Sequence, residues 1–171
     1  LLSPINSNGL AGHFTREEAL VSAIRECIER DGFLAYWMQT LSPRVVAIEE
    51  SEDARVHEAL RTLARFNMRA YLLDTTTNIG IPTSTCVIVH DEAGTPFVSV
   101  GAASGSSAVD SFLNSLREAL VVQTGAAEKR GSVKIGVDYM PFADRTIGME
   151  ERVHIWYGKE MYERARFLFS G

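Results

Sequence analysis

Two runs of β-branched and apolar residues, Thr85–Val89 and Pro96–Val100, stand on either side of the polar turn Asp-Glu-Ala-Gly-Thr at 91–95. That pattern predicts a β-hairpin. Pro96 opens its strand, because a proline further inside would remove a ladder donor. A hairpin commits the chain to an antiparallel pair whose faces need cover, and the long periodic stretches around it are helical. Thr15-Arg-Glu-Glu18 is a capping box, and the helix it starts runs to about Met38, weakened at Gly32 and stopped before Pro43. A second helix is predicted from about Asp53 to Phe66, with Val56, Leu60, Leu63 and Ala64 on one face. A third spans Ala108 to Val122, followed by a loop or frayed end over TGAAEKRGS, and a last one Lys159 to Phe169. Short strands are predicted at Arg44–Ile48, Ala70–Leu73 and Val133–Val137. The expected class is α+β: a mixed sheet with at least one β-hairpin, packed with three or four helices.

Length and charge narrow the function classes. A chain of 171 residues is expected to form one domain, 1–171, with a real core. The net charge of -5 argues against nonspecific nucleic-acid binding, which needs a basic surface. No apolar run approaches the roughly 20 residues that span a bilayer, and no basic-then-apolar start marks a secretory signal, so no membrane partner and a cytoplasmic location are expected. Cys27 and Cys86 sit among apolar residues without Cys-x-x-Cys spacing and are expected as reduced core residues. The chain begins at Leu1 inside a motif-like segment and stops just after a helix-like run, which points to a piece of a longer protein, truncated at both ends.

An internal pseudo-duplication is also visible. A shift of 92 positions lays Gly9 on Gly101, Ala11 on Ala103, Arg25 on Arg117 and Glu26 on Glu118. Ser22 then falls on Asn114 and Ile24 on Leu116. Each copy is a glycine-containing loop leading into a helix with a glutamate near its middle. Chance accounts for such a match as readily as a pseudo-twofold pair that brings the two glutamates together.

The stretch SAIRECIERD holds the chemistry. At about 100° per residue, Ser22, Glu26 and Glu29 fall in a sector of roughly 60°, with Leu20, Ile24, Cys27 and Ile28 on the opposite, core-facing stripe. One reading is a solvated acidic face. Against it, Phe33, Tyr36 and Trp37 continue the glutamate side, and a covered carboxylate needs a counter-charge. Magnesium meets that need: it takes hard oxygen ligands and is held by one or two carboxylates plus substrate phosphates. Arg30 would contact a phosphate or neutralise Glu26.

SNGLAGHFTREEALVSAIRECIERDGFLAYW resembles the YcaO family, which carries a serine, three residues, then Glu-x-x-Glu-Arg on a helix that binds Mg-ATP. Ser22, Glu26, Glu29 and Arg30 match that pattern. Ser7-Asn8-Gly9 before the helix and DTTTNIGIP (Asp74–Pro82) before the hairpin match family landmarks. FVSVGAASGSSAVDSFLNSLREAL resembles the second nucleotide-site helix, where Asn114 and Glu118 match an amide and a glutamate. Val121 stands where the family carries a further Glu or Gln, with Gln123 two residues later, and Arg130 aligns loosely with an arginine further on. RVHIWYGKEMYERARFL resembles a later segment, so the similarity covers most of the chain and is closest to azoline-forming cyclodehydratases.

The resemblance implies ATP-dependent activation of peptide backbone amides, by phosphorylation of the amide oxygen, leading to azoline or thioamide formation. It assigns Glu26, Glu29 and Glu118 to Mg2+, and Ser22, Arg30, Asn114 and Arg130 to ATP or to orienting the metal ligands. It implies a ribosomally made peptide or protein substrate, a leader-peptide-binding partner protein and a homodimer. Two alternatives stay open: a non-catalytic or truncated module that binds a leader peptide or partner, which Val121 favours, and a metal-dependent hydrolase using the same acids. His13, His57, His90 and His154 lack metal-ligand spacing; His13 is either a substrate contact or a loop residue. No Walker phosphate loop or Gly-x-Ser-x-Gly elbow is present. GAASGSS is either a phosphate-holding loop at a helix start or a plain turn.

Overall fold

The computed structural model describes residues 8–92, 95–128, 156 and 158–170. Its elements, in chain order, are α1 (Arg16–Gln39), β1 (Arg44–Val46), a 3-10 turn (Ile48–Glu50), α2 (Ala54–Arg65), β2 (Met68–Asp74), β3 (Thr83–Glu92), β4 (Thr95–Ser104), α3 (Ala108–Glu128), α4 (Lys159–Ala165) and a second 3-10 turn (Arg166–Leu168). The expected α+β class holds. The four strands lie in the order β1-β2-β3-β4 and every described pairing is antiparallel. The hairpin is longer than predicted, and α3 continues through the stretch expected to loop or fray, as far as Glu128. The predicted strand Val133–Val137 and His154 lie outside the described residues.

The sheet's pleat sorts its side chains into two layers. On one face Leu72, Cys86 and Ile88 pack with Val56 and Leu63 of α2 and Phe112, Leu116 and Ala119 of α3. On the other face Leu73, Val87 and Val98 pack with Ala165 at the end of α4 and with Leu168 and Phe169 beyond it, and Trp37 of α1 joins them. Trp37 meets Trp156 edge-on at 5.2 Å between ring centroids. Helices therefore cover both faces of one sheet. Among the described residues no helix is long and apolar enough to cross a membrane.

Local chemistry sets the helix boundaries. The Thr15 hydroxyl accepts from the Glu18 backbone N–H at 3.2 Å and donates to the Glu18 carboxylate at 2.8 Å. The box thus closes through the hydroxyl. Asp53 caps α2, accepting from the Arg55 N–H at 2.8 Å.

The expected core-facing stripe of α1 is overturned. Ile28 is buried, but Leu20 is 58% and Ile24 49% exposed, and Cys27 is exposed as well. The helix turns its acidic side toward the protein, with Phe33, Tyr36 and Trp37 half-covered. The sheet beneath it explains this: its end there is lined by buried Thr75, Thr83 and Thr85, whose hydroxyls suit polar neighbours and give a leucine stripe nothing to pack on. Cys86, by contrast, is fully buried, and burial pushes its thiol up to about 12. Ala64, expected on the buried face of α2, is exposed.

Candidate functional site

Strand β4 is the edge of the sheet, and its register fixes which groups are free. The Val98 N–H leaves the sheet to reach Trp156 O at 3.2 Å, and Pro96 O accepts from the Gly158 N–H at 2.8 Å. Main-chain groups alternate sides along a strand, so Val100, Ala102 and Ser104 also point outward. Trp156 and Gly158 occupy the start of that edge. At its far end, two carboxylates arrive instead.

Two close approaches bring them there. A Cβ on Gly32 of α1 would stand 2.6 Å from Thr75 O, and one on Gly101 of β4 would stand 2.3 Å from both Ala119 N and Ser115 O of α3. The helices lie on opposite faces of the sheet and press onto it through these glycines. Glu118 then takes a hydrogen bond from the Ala102 backbone, and Glu29 one from the Ser104 backbone, each favouring the charged form. Glu26 joins from α1: its carboxylate accepts from the Gly9 N–H at 3.1 Å and lies 3.8 Å from the Arg30 guanidinium. Gly9 holds φ +75°, a left-handed turn that suits glycine.

The charges do not balance. Glu29 is pushed up to about 7, first by burial, then by Glu118 and, more weakly, by Glu26; Arg30 and the Ser104 N–H oppose the shift. Glu118 is raised too, first by burial and then by Glu26, against the Ala102 N–H and Arg30. Glu118 remains open to solvent over much of its surface, so Glu29 is the more strained of the two. Among the described residues one guanidinium answers three carboxylates. An added cation relieves this arrangement by removing like-charge repulsion.

The donor set is all oxygen. Among the described residues no three His, Cys, Asp or Glu side chains form a ready-made metal cage. Magnesium is commonly held by one or two carboxylates with the rest of its sphere from water and phosphate, so these acids fit a metal that arrives with a nucleotide better than one held by the protein alone.

The remaining sequence candidates divide. Ser22 is exposed on α1 one turn before Glu26. Asn114 is exposed one turn before Glu118, and its Oδ1 accepts from the Arg117 guanidinium at 3.2 Å. Val121, a turn beyond Glu118, is 67% exposed. Gln123 does not replace it: it is buried and hydrogen-bonded to His90 Nδ1 at 2.9 Å, on the side of α3 that faces the sheet. Arg130 lies outside the described residues. His13 sits 2.7 Å from the Glu18 carboxylate, at the helix start. The described bonds of the GAASGSS turn are internal to the protein. Gly105 N–H donates to Pro82 O at 2.9 Å, and Ser106 and Ser107 bond Asp110, whose carboxylate already occupies the helix start.

Sequence patterns alone missed the Ala102 and Ser104 backbone donors. The signal was the run of small residues Gly101-Ala-Ala-Ser-Gly105, which lets helix and strand approach closely.

A family model described as "YcaO cyclodehydratase, ATP-ad Mg2+-binding" matches residues 2–171. No curated protein matches the chain. Among solved structures, a heterocyclase in complex with substrate and cofactor superposes with a TM-score of 0.72 at 19% identity, over 96% of this chain and 20% of that one. The heterocyclase TruD gives 0.64 at 20% identity, over 94% and 25%. The E. coli microcin synthetase McbBCD complex with pro-MccB17 bound gives 0.61 at 17% identity, over 79% and 35%. The chain thus spans between about a fifth and a third of the length of these neighbours.

Proposed function

The chain belongs to the YcaO family, and from that premise we propose that the acids at the edge of β4 form a Mg-ATP site that activates backbone amides of a peptide. The observation that carries the reading is the meeting of Glu29 and Glu118, from helices on opposite faces of the sheet, with Glu29 pushed up to about 7. Like charges gathered at this cost are expected where a cation and phosphates complete the site.

Glu26, Glu29 and Glu118 would hold Mg2+, which would supply charge neutralisation for the phosphates of ATP. Ser22 and Asn114, both exposed, contact nucleotide or orient the acids, and Arg30 offers a guanidinium to a phosphate. Arg130 is assigned to the nucleotide as well. A Cys, Ser or Thr side chain of the peptide, or sulfide, attacks the backbone amide carbon, the side chain giving up its proton. The amide oxygen then takes the γ-phosphoryl group; an O–P bond forms as the bond to ADP breaks. The C–O bond breaks and phosphate leaves as a proton departs from nitrogen, giving an azoline, or from sulfur, giving a thioamide. The chain supplies position and charge neutralisation, as in other phosphoryl transfers. The neighbour that holds pro-MccB17 supports a peptide substrate worked on with partner proteins, and a homodimer belongs to the same reading.

Calorimetric titration tests it. Mg-ATP is expected to bind, and Glu29→Ala to weaken binding by at least about tenfold, the lower range for losing even an outer partner of a metal site. Unchanged affinity would remove Glu29 from the site. ATP consumption that requires added peptide separates amide activation from simple hydrolysis.

One observation favours a second reading. Val121 leaves α3 without the further polar side chain of the family pattern, and it is largely exposed. A non-catalytic module that binds a leader peptide or partner protein would show no Mg-ATP binding in the same titration.

A further inference from the structure

The opposite edge of the sheet, at its other end, is also incomplete. β1 pairs with β2 only across Arg44–Asp74, Val45–Leu73 and Val46–Leu72, so β2 runs on past it from Met68 to Tyr71. Odd-numbered residues of β2 face β3, as the Thr75 N–H to Thr83 O bond shows at 3.0 Å. The N–H and C=O groups of Met68 and Ala70 therefore point outward, where among the described residues no strand lies beside them. They open into a cleft of about 770 Å³.

The two walls of the cleft differ. On the α2 side they are apolar: Leu60, Leu63 and Met68. On the α4 side stand Arg69, Lys159, Tyr162 and Glu163. Glu163 is paired with Arg166 at 3.0 Å, and Arg69 donates to the Tyr71 hydroxyl at 3.3 Å. Among the described residues Arg69 and Lys159 form no ion pair. Among the described residues, two cations therefore stand against one acid without an ion pair in the lining, Glu49, at the end where β1 stops.

We propose that this cleft binds an extended peptide segment, of alternating apolar and acidic residues, as an added strand along Met68–Tyr71. The main-chain groups of Met68 and Ala70, unpaired among the described residues, supply the ladder bonds, the usual basis of recognition by strand addition. Side chains of such a strand alternate between faces. One set meets Leu60, Leu63 and Met68; the other meets Arg69 and Lys159, which select carboxylates. The site goes beyond the nucleotide reading and rests on no part of it, because it lies at the other edge and the other end of the sheet.

The test uses the whole chain and a short fluorescein-labelled peptide in which leucine and glutamate alternate, followed by fluorescence anisotropy. The alternating peptide is expected to bind, and a peptide of the same composition in scrambled order to bind at least about tenfold more weakly, the factor for one lost bond to a charged group. Ala70→Pro removes an outward N–H at an edge position, where proline is tolerated, and is expected to weaken binding similarly. Arg69→Glu with Lys159→Glu, both at exposed positions, is expected to reverse the preference toward a leucine–lysine peptide, and it decides the matter should Ala70→Pro fail to fold. Mg-ATP titration of the same variants is expected to be unchanged. No binding of the alternating peptide, equal binding of the scrambled one, or an unreversed charge preference overturns the site whatever the Mg-ATP result.

Discussion

Glu29 and Glu118 reach the same strand edge from opposite faces of the sheet, and each is held by the backbone of an alternate residue of β4, Ser104 and Ala102. The pleat makes this geometry: outward N–H groups recur every second residue, one for each helix. Burial at that edge, and then the Glu118 carboxylate beside it, push Glu29 up to about 7 from its ordinary 4.5, against the Ser104 backbone bond.

Stability is therefore expected to fall as pH rises through that window. The unfolded chain releases the Glu29 proton near 4.5 while the folded chain keeps it to about 7, so the unfolded state gains relative stability between those values. Glu118, raised in the same direction, adds to the slope. Thermal melts across the range should show the decline, and Glu29→Gln should flatten it. A variant with the same slope as the parent would refute the shift.

Mg-ATP binding is expected to release protons. Below pH 7 Glu29 is largely protonated, and a cation binds the carboxylate form. Affinity should rise from pH 6 to pH 8, with the calorimetric heat varying with the buffer's ionisation enthalpy. Equal heats in buffers of different ionisation enthalpy would show that no proton leaves.

Gly101→Ala is expected to be among the most damaging small substitutions in the sheet. Its Cβ would stand 2.3 Å from two main-chain atoms of α3, which cannot swing aside as a side chain can. Overpacking of this kind costs about 1–3 kcal/mol, and here it also displaces Glu118. Gly125→Ala, on the exposed side of the same helix with nothing within 4 Å, should stabilise by about 0.5–1 kcal/mol. Denaturant unfolding of the pair checks both signs.

Val121→Gln tests the departure on α3. Because Val121 is exposed, stability should stay within about 0.5 kcal/mol. A polar group restored one turn beyond Glu118 should tighten Mg-ATP binding by roughly tenfold, the value of one added bond to a charged group. Gln123→Leu should instead lower the melting temperature and leave nucleotide affinity alone, since Gln123 serves His90.

Much of this protein was legible in local chemistry. The hairpin, the Thr15 cap and the spacing of Glu26 and Glu29 each depend on residues a few positions apart; the cap and the helix that carries the acids are where the pattern places them, and the hairpin extends beyond its predicted strands. The shift that lays Glu26 on Glu118 left chance and convergence equally open; in the structure both glutamates act on Glu29. What one chain pattern does not carry is which side of an amphipathic helix is covered. Leu20 and Ile24 looked like the core stripe, yet they face outward, because the surface offered to α1 is a threonine-lined sheet end and a row of backbone N–H groups. Those partners lie far along the chain, at Thr75, Thr83 and Ser104. Only the folded arrangement sets them against the acids, and with that sets the charge balance on which the site depends.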